Sequence, residues 1–276
     1  MRRAGTPVVL DWRAVAEAHA GFFSFTEITD PAEHRSYNAW HQLDHMPEQF
    51  PLAGMAYGQR WVSTPACTAA RVVADPVLAP VHYLTLYLMS DPVHVTLREF
   101  MALAERLRDE DRFHGGRRAR LAGPVAVTGM SAAPRVRVSP EAVPYRPNRG
   151  VYAVVRSGRP GSLAAPGPTL TGHAGAARDE ADARLAQVLA ADPAVAGVWS
   201  FRTDRRFDRH SWRPGDLSLT LCYLDEDPVR AAARLGARLT AAAPGSDSGG
   251  PTPAVVFAGP FETIIPWQWD WFDDTR

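Results

Sequence analysis

An order of strand and helix signals that runs through residues 21–132 recurs through residues 150–264, and it limits the fold more tightly than anything else in the sequence. In the first pass, residues 21–28 are aromatic-rich with polar side chains between, as in a strand. Asp30-Pro31 then opens a helix, because a carboxylate can accept from the free N–H groups of a first turn and proline suits that turn. This helix is expected to stop near Met46, since Pro47 lacks the N–H an interior position needs. Residues 54–63 read as a second strand, and residues 64–80, with three prolines, as an irregular connection. Residues 82–89 alternate, placing Leu84, Leu86 and Leu88 on one face and Tyr83, Thr85, Tyr87 and Met89 on the other. Asp91-Pro92 opens a helix with a stripe at Leu97, Met101, Ala104 and Leu107 or Arg108. Residues 121–132 close the set. The second pass reads strand (Val151–Arg156), helix (173–191, with Ala181, Leu185, Val188 and Leu189 inward), strands (196–203 and 217–224), helix (from Asp227-Pro228 to before Pro244) and strand (Ala254–Ile264).

The order β-α-β-β-α-β, met twice, specifies an α+β protein built from two ferredoxin-like units. Residues 1–132 form the N-terminal unit, 133–149 a Pro-rich connector and 150–276 the C-terminal unit. Each unit covers only one sheet face with helices, so the open faces can pack together as a barrel within the chain. The face of Tyr83, Thr85, Tyr87 and Met89 is expected at its centre, either lining a small-molecule pocket or filling the core. Residues 157–172 and 243–251 are Gly/Ser/Pro-rich, read as solvated loops or a lid.

Composition narrows the chemistry. Among 276 residues, 30 basic side chains balance 30 acidic ones, which removes the concentrated basic surface of a nucleic-acid binder. Every basic side chain is arginine. Schiff-base chemistry, a pyridoxal-phosphate anchor and a Walker A loop each need a lysine amine and are excluded. Met1-Arg2-Arg3 is followed by an apolar run that stops at Asp11, too short for a signal core, and no stretch suits a membrane span. Cys67 and Cys222 belong to no CxxC pair and read as two reduced thiols. These features suggest a cytoplasmic, soluble protein.

The chemistry concentrates between Tyr37 and Glu48. On a helix Tyr37, His41 and His45 share one face at i, i+4, i+8, with Trp40 and Asp44 on an adjacent stripe. An imidazole can exchange a proton near neutral pH when a carboxylate or phenol sets its tautomer. His45, placed at the helix end, is expected to have its pKa raised by the dipole. The same two histidines could hold a metal, although no third ligand is evident, or simply pack at the helix–sheet boundary.

Trp40-(x)3-Asp44-His45-x-Pro47-Glu48, then Gly54-(x)3-Gly58-x-Arg60, then Tyr83-Leu84-x-Leu86-Tyr87, resembles the EthD-like branch of the dimeric α+β barrel superfamily over residues 20–110. His41 stands where relatives often carry tyrosine, and the second half lacks the motif. The resemblance implies a small-molecule cavity and leaves the reaction open among cofactor-free monooxygenases, cyclases, decarboxylases, isomerases and heme enzymes. Carried over by position, it makes His45 with Asp44 the acid/base candidates, and His41 joins them through its i, i+4 spacing to His45. It makes Tyr37, Trp40, Tyr57, Arg60, Tyr83 and Tyr87 candidate substrate-binding groups. Tyr57 and Arg60 have opposite strand parity, so at most one faces the cavity.

Three functions follow. The first is a cofactor-free enzyme shuttling a proton through His45 on an aromatic or polyketide-like substrate in the barrel cavity, by isomerisation, cyclisation, dehydration or decarboxylation. The second is a heme enzyme with His173 as ligand, and the third a small-ligand-binding or structural barrel without chemistry. The expected partners are a small molecule, no nucleic acid and no membrane, on a monomer or homodimer. Residues 202–210 form an Arg-rich hairpin, self-paired and solvated or else an anion clamp. Trp267, Trp269 and Trp271 alternate along an extended tail expected on the barrel, on a second subunit or in the cavity.

Overall fold

A computed structural model describes residues 17–158, 163, 173–204, 206–207, 217–242 and 253–273, with the backbone alone for 173–177. The two Gly/Ser/Pro-rich stretches largely lie outside the described residues, as do the tip of the Arg-rich hairpin and the side chain of His173. Strands β1 (Ala18–Ile28), β2 (Met55–Val62), β4 (Tyr83–Ser90) and β5 (Arg117–Ala132) belong to the first unit. Strands β6 (Gly150–Ser157), β7 (Val195–Arg202), β8 (Leu217–Leu224) and β9 (Ala254–Thr263) belong to the second. A two-residue strand, β3 (Val73–Ala74), pairs on the outside of β9. Helices α1 (His34–Trp40), α2 (Met46–Gln49), α3 (Pro65–Ala69) and α4 (Val93–Asp109) accompany the first unit, and α5 (His173–Ala190) and α6 (Pro228–Ala241) the second. No helix among the described residues is long and apolar enough to cross a membrane.

The strands run β2-β4-β1-β5-β7-β8-β6-β9, and β9 returns to β2, so eight antiparallel strands close a barrel. Within each unit the order is the ferredoxin-like one. The units meet where the last strand of each joins the second of the other, which is the α+β barrel that the repeated order specifies. The two seams differ. β5 and β7 pair from Ala126↔Arg202 to Ala132↔Gly197, whereas β2 and β9 pair only at Trp61↔Thr263 and Val62↔Glu262. Connector residue Asn148 pins the shorter seam, accepting from Trp61 Nε1 at 3.1 Å and from Thr263 Oγ1 at 2.7 Å.

The barrel interior is packed with apolar side chains from both units. Leu84, Leu86 and Leu88 point inward with Phe23, Phe25 and Trp61, and meet Trp199, Phe201, Phe257 and Phe261 from the other unit. Phe23 touches Phe201 edge-on at 4.9 Å, and Phe25 lies 5.9 Å from Phe257. The face of Tyr83, Thr85, Tyr87 and Met89 therefore looks outward onto the helices, the reverse of the sequence expectation. Alternation separates the two faces, but both are buried here, and the all-leucine face goes to the drier side.

Asp227 caps α6 as expected, accepting from Arg230 N–H at 2.9 Å, and Asp30 caps the 3-10 turn Pro31–Glu33 that leads into α1, accepting from Ala32 N–H at 3.0 Å. Asp91 accepts from Val93 N–H at 3.4 Å, and α4 starts one residue beyond Pro92. The stripe of α4 that meets the sheet is Val93, Leu97, Phe100, Leu103 and Leu107, one step round from the expected one. Residues 64–80 contain the helix α3 and strand β3 that their prolines hid.

Two corrections concern the segment after Asp30 and the tail. The helix does not stop at Met46: residues His41–His45 form a π turn, and α2 continues through Pro47 to Gln49. The wider turn bonds Met46 N–H to His41 C=O, and Pro47 then sits in the first turn of α2, where an N–H is not required. The C-terminal indoles do not lie along one side of an extended segment. Trp269 is buried, Trp267 is 71% exposed, and the tail folds over α1, where Phe272 stacks on His34 at 3.8 Å.

Candidate functional site

Between the outer sheet face of the first unit and its helices lies a cleft of about 110 Å3. Its floor is Ser24 and Thr26 of β1, Thr85 and Tyr87 of β4, and Arg117 of β5. His41, His45 and Gln49 form one wall, while Phe100, Met101, Ala104 and Arg108 of α4 form the other. Of the expected stripe of α4, Met101, Ala104 and Arg108 thus line the cleft, while Leu97 and Leu107 pack against the sheet.

His45 is 9% exposed and lies in an aromatic box. Trp40 stacks on it at 4.6 Å, Phe113 meets it edge-on at 5.2 Å, and His41 stands perpendicular at 5.1 Å. Its Nδ1 is buried without a hydrogen-bond partner. Burial, then the fields of Arg117, Arg60 and Arg112, push its pKa down to about 3, so the ring is neutral at ordinary pH. The dipole-raised pKa expected from the sequence is overturned, because the chain continues helically beyond His45.

Asp44 does not orient His45. It holds Arg112 at 2.9 Å together with Glu48 at 2.7 Å, while Arg112 C=O accepts from Trp40 Nε1 at 2.7 Å. Successive helical residues point in different directions, so Asp44 reaches His45 only through the indole it helps to fix.

His41 is fully engaged. Its Nδ1 is 3.1 Å from Tyr37 Oη and its Nε2 3.3 Å from Tyr87 Oη. Burial, with Arg60 next, holds it well below the ordinary imidazole value. A neutral ring donates from one nitrogen and accepts at the other, so Tyr37–His41–Tyr87 is a continuous chain of exchangeable protons ending in the cleft.

Arg60, 3% exposed, donates to Asn38 Oδ1 at 3.0 Å and Gln42 Oε1 at 3.3 Å. Its guanidinium lies 5.1 Å from the Tyr37 ring centre and 5.5 Å from that of Tyr83. Tyr83 Oη accepts from Asn38 Nδ2 at 2.8 Å and lies 2.8 Å from His34 Nδ1, behind the cleft rather than in it. Tyr57 faces the opposite way, toward the barrel interior, with its ring 5.0 Å from Tyr145. Of the expected substrate-binding groups, Tyr87 alone lines the cleft; Tyr37, Trp40, Arg60 and Tyr83 stand behind it.

Arg117, Phe113 and Gln49 are not singled out by the sequence, whereas Thr85 is, as part of the alternating face of β4 expected to line a pocket or fill the core. Ser24 and Thr26 carry a similar signal, as polar residues at alternate positions among aromatics. Arg117 and Phe113 are over 65 positions from His45 and no local pattern links them.

Heme does not fit this cleft. Both nitrogens of His41 are taken by tyrosine hydroxyls, and about 110 Å3 beside His45 is far too small for a tetrapyrrole. In the second unit Arg156 and Arg202 pair with buried Asp182, whose Oδ1 also accepts from Ser218 Oγ at 3.0 Å.

Fold and site together define a one-chain α+β barrel with a polar cleft on one flank. No family model and no curated protein matches the sequence. Solved structures similar in chain course include one named "Putative Chlorite dismutase", 10% identical, with a TM-score of 0.49 over 93% of this chain and 98% of that one. An anthrone oxidase-like protein is 11% identical, with a TM-score of 0.47 over 91% and 94%. A dye-decolorizing protein from V. cholerae is 11% identical, with a TM-score of 0.41 over 90% and 94%.

Proposed function

We propose that this chain is a cytoplasmic small-molecule enzyme of the EthD-like kind that moves a proton on a compact aromatic or enolic substrate, without a cofactor. One observation carries the reading: three buried polar atoms without protein partners, His45 Nδ1, Gln49 Oε1 and Thr85 Oγ1, belong to residues lining one cleft. Buried polar groups are satisfied in folded proteins, and unsatisfied ones that converge on a cavity mark where a ligand supplies the missing bonds. Size limits the ligand. A closed apolar cavity of about 150 Å3 holds benzene, and the cleft, at about 110 Å3 and open on one side, is on the scale of one ring or a short enol.

In this reading His45 accepts the substrate proton. Tyr87 hydrogen-bonds the reacting oxygen, and His41 with Tyr37 relays protons behind it. Trp40, held by Asp44 through Arg112, keeps the imidazole in plane. Isomerisation, dehydration and decarboxylation of a one-ring or enol acid all need such a transfer. A binding protein without chemistry is the second reading, favoured by the low pKa of His45, which makes it a weak base while the cleft is empty.

The test is turnover of one-ring and enolic substrates by wild type and His45→Gln. Loss of general-base catalysis costs roughly 100-fold or more in rate. Equal turnover by the variant would remove His45 from the chemistry.

A further inference from the structure

We infer that the cleft is built for an organic anion, a one-ring carboxylate or phenolate whose charge is taken by Arg117. This rests on the cleft being the substrate site and names the class of substrate. Arg117 starts β5 and lines the cleft, and its guanidinium lies 4.7 Å from the ring centre of Phe113 and 5.5 Å from that of Trp40. Among the described residues no carboxylate pairs with it. Arg108, on the opposite wall, is 5.1 Å from the same Phe113 ring and also lacks a carboxylate partner among them. Two planar cations thus share one phenyl ring.

Several other partly buried arginines have oxygen partners. Arg112 is held by Asp44 and Glu48, Arg120 by Glu27 at 2.6 Å, and Arg146 by Asp225, while Arg60 and Arg71 donate to neutral side-chain or backbone oxygens. Arg117 has aromatic rings in place of such partners. Of the charged groups that line the cleft, Arg108 and the single acid, Glu105, are both exposed at the rim, where water screens them, and Arg117 is the sheltered charge. Arg60 adds a third positive charge from behind, while His41 and His45 contribute none.

An unpaired guanidinium against aromatic walls is a complementary site for a planar carboxylate, which it can bind through two parallel N–H···O bonds. Burying an anion there also offsets the desolvation that Arg117 already bears, since burial holds its pKa below the usual value. The ring of the ligand then lies beside Phe100 and Phe113, with its reacting carbon toward His45.

Benzoate, benzamide and benzylamine share one ring size and differ in charge, so titration calorimetry with these three probes isolates the anion preference. Wild type is expected to bind benzoate roughly tenfold or more tightly than benzamide, as a charge-assisted bond implies, and not to bind benzylamine. Arg117→Gln should bring benzoate and benzamide to parity, and Arg108→Gln should narrow the gap by less. His45→Gln should keep the preference, which separates anion binding from proton transfer. Benzamide binding as tightly as benzoate in wild type would overturn the assignment and leave the cleft as a neutral-ligand site. A folded Arg117→Gln that keeps the preference would overturn it equally. If none of the three rings binds to folded wild type, the cleft falls as the substrate site and the proton-transfer reading falls with it.

Discussion

Imidazoles held neutral by burial dominate the residue scale. His45 has its pKa pushed down to about 3 and His34 to about 4, each by burial first, then by Arg117 for His45 and by His82 for His34. The unfolded chain binds these protons near pH 6.5, about the ordinary imidazole value. The folded chain refuses them until far lower pH. Their contribution to stability is therefore complete above about pH 6.5 and is lost as pH falls toward 3–4. At pH 5 each histidine costs roughly 2 kcal/mol relative to pH 7. The urea midpoint should drop accordingly between the two pH values, and His34→Gln should show a smaller drop than wild type. A midpoint that does not move would mean that neither ring is buried neutral. An anion in the cleft reverses part of this effect at His45, because it cancels the field of Arg117.

Among the elements, the approach of α4 to the loop before β2 sets the width of the cleft. Gly54 has φ of +81°, a conformation in which a Cβ is strained. A Cβ there would also run into Thr96 Oγ1, which donates to Ala53 C=O at 2.9 Å and locks the first turn of α4 to that loop. Gly54→Ala should destabilise the fold by about 1–3 kcal/mol, seen as a lower urea midpoint at unchanged slope. An unchanged midpoint would show that α4 is free to shift. Much at this scale was legible in the sequence. The aspartate caps at Asp30 and Asp227, the alternation of β4 and the opposed faces of Tyr57 and Arg60 each follow from local rules. The π turn did not show, since five residues cannot distinguish one helical pitch from another and Pro47 imitates a stop. Nor could alternation tell which face of β4 looks into the barrel, because that depends on what the other unit brings. The pairing of Asp44 with Arg112 was equally hidden, since a carboxylate beside a histidine in sequence points elsewhere in space.

The whole molecule depends on both units closing one barrel. The first unit alone would expose Phe23, Phe25, Trp61, Leu84, Leu86 and Leu88, all buried against the second. Sheets with an open apolar face and two free edges associate. A fragment of residues 1–149, cut at the proposed connector, is expected to run as a dimer or larger species in analytical ultracentrifugation. A folded monomer would show that the first unit covers itself. The seams are unequal, and the short one between β2 and β9 leads directly into the tail that crosses to the first unit. There Trp269 packs with Tyr37 and Tyr83, Phe272 lies on His34, and Arg35 Nε donates to Asp273 at 3.0 Å. Every catalytic candidate comes from the first 120 positions, yet the helix that presents them is braced by residues 264–273. During synthesis on the ribosome, the unit that holds the candidate site is made early and stays unbraced until the end of β9 and residues 264–273 have emerged. If the proposed site is the working one, a nascent chain is silent toward its substrate until those residues have left the ribosome.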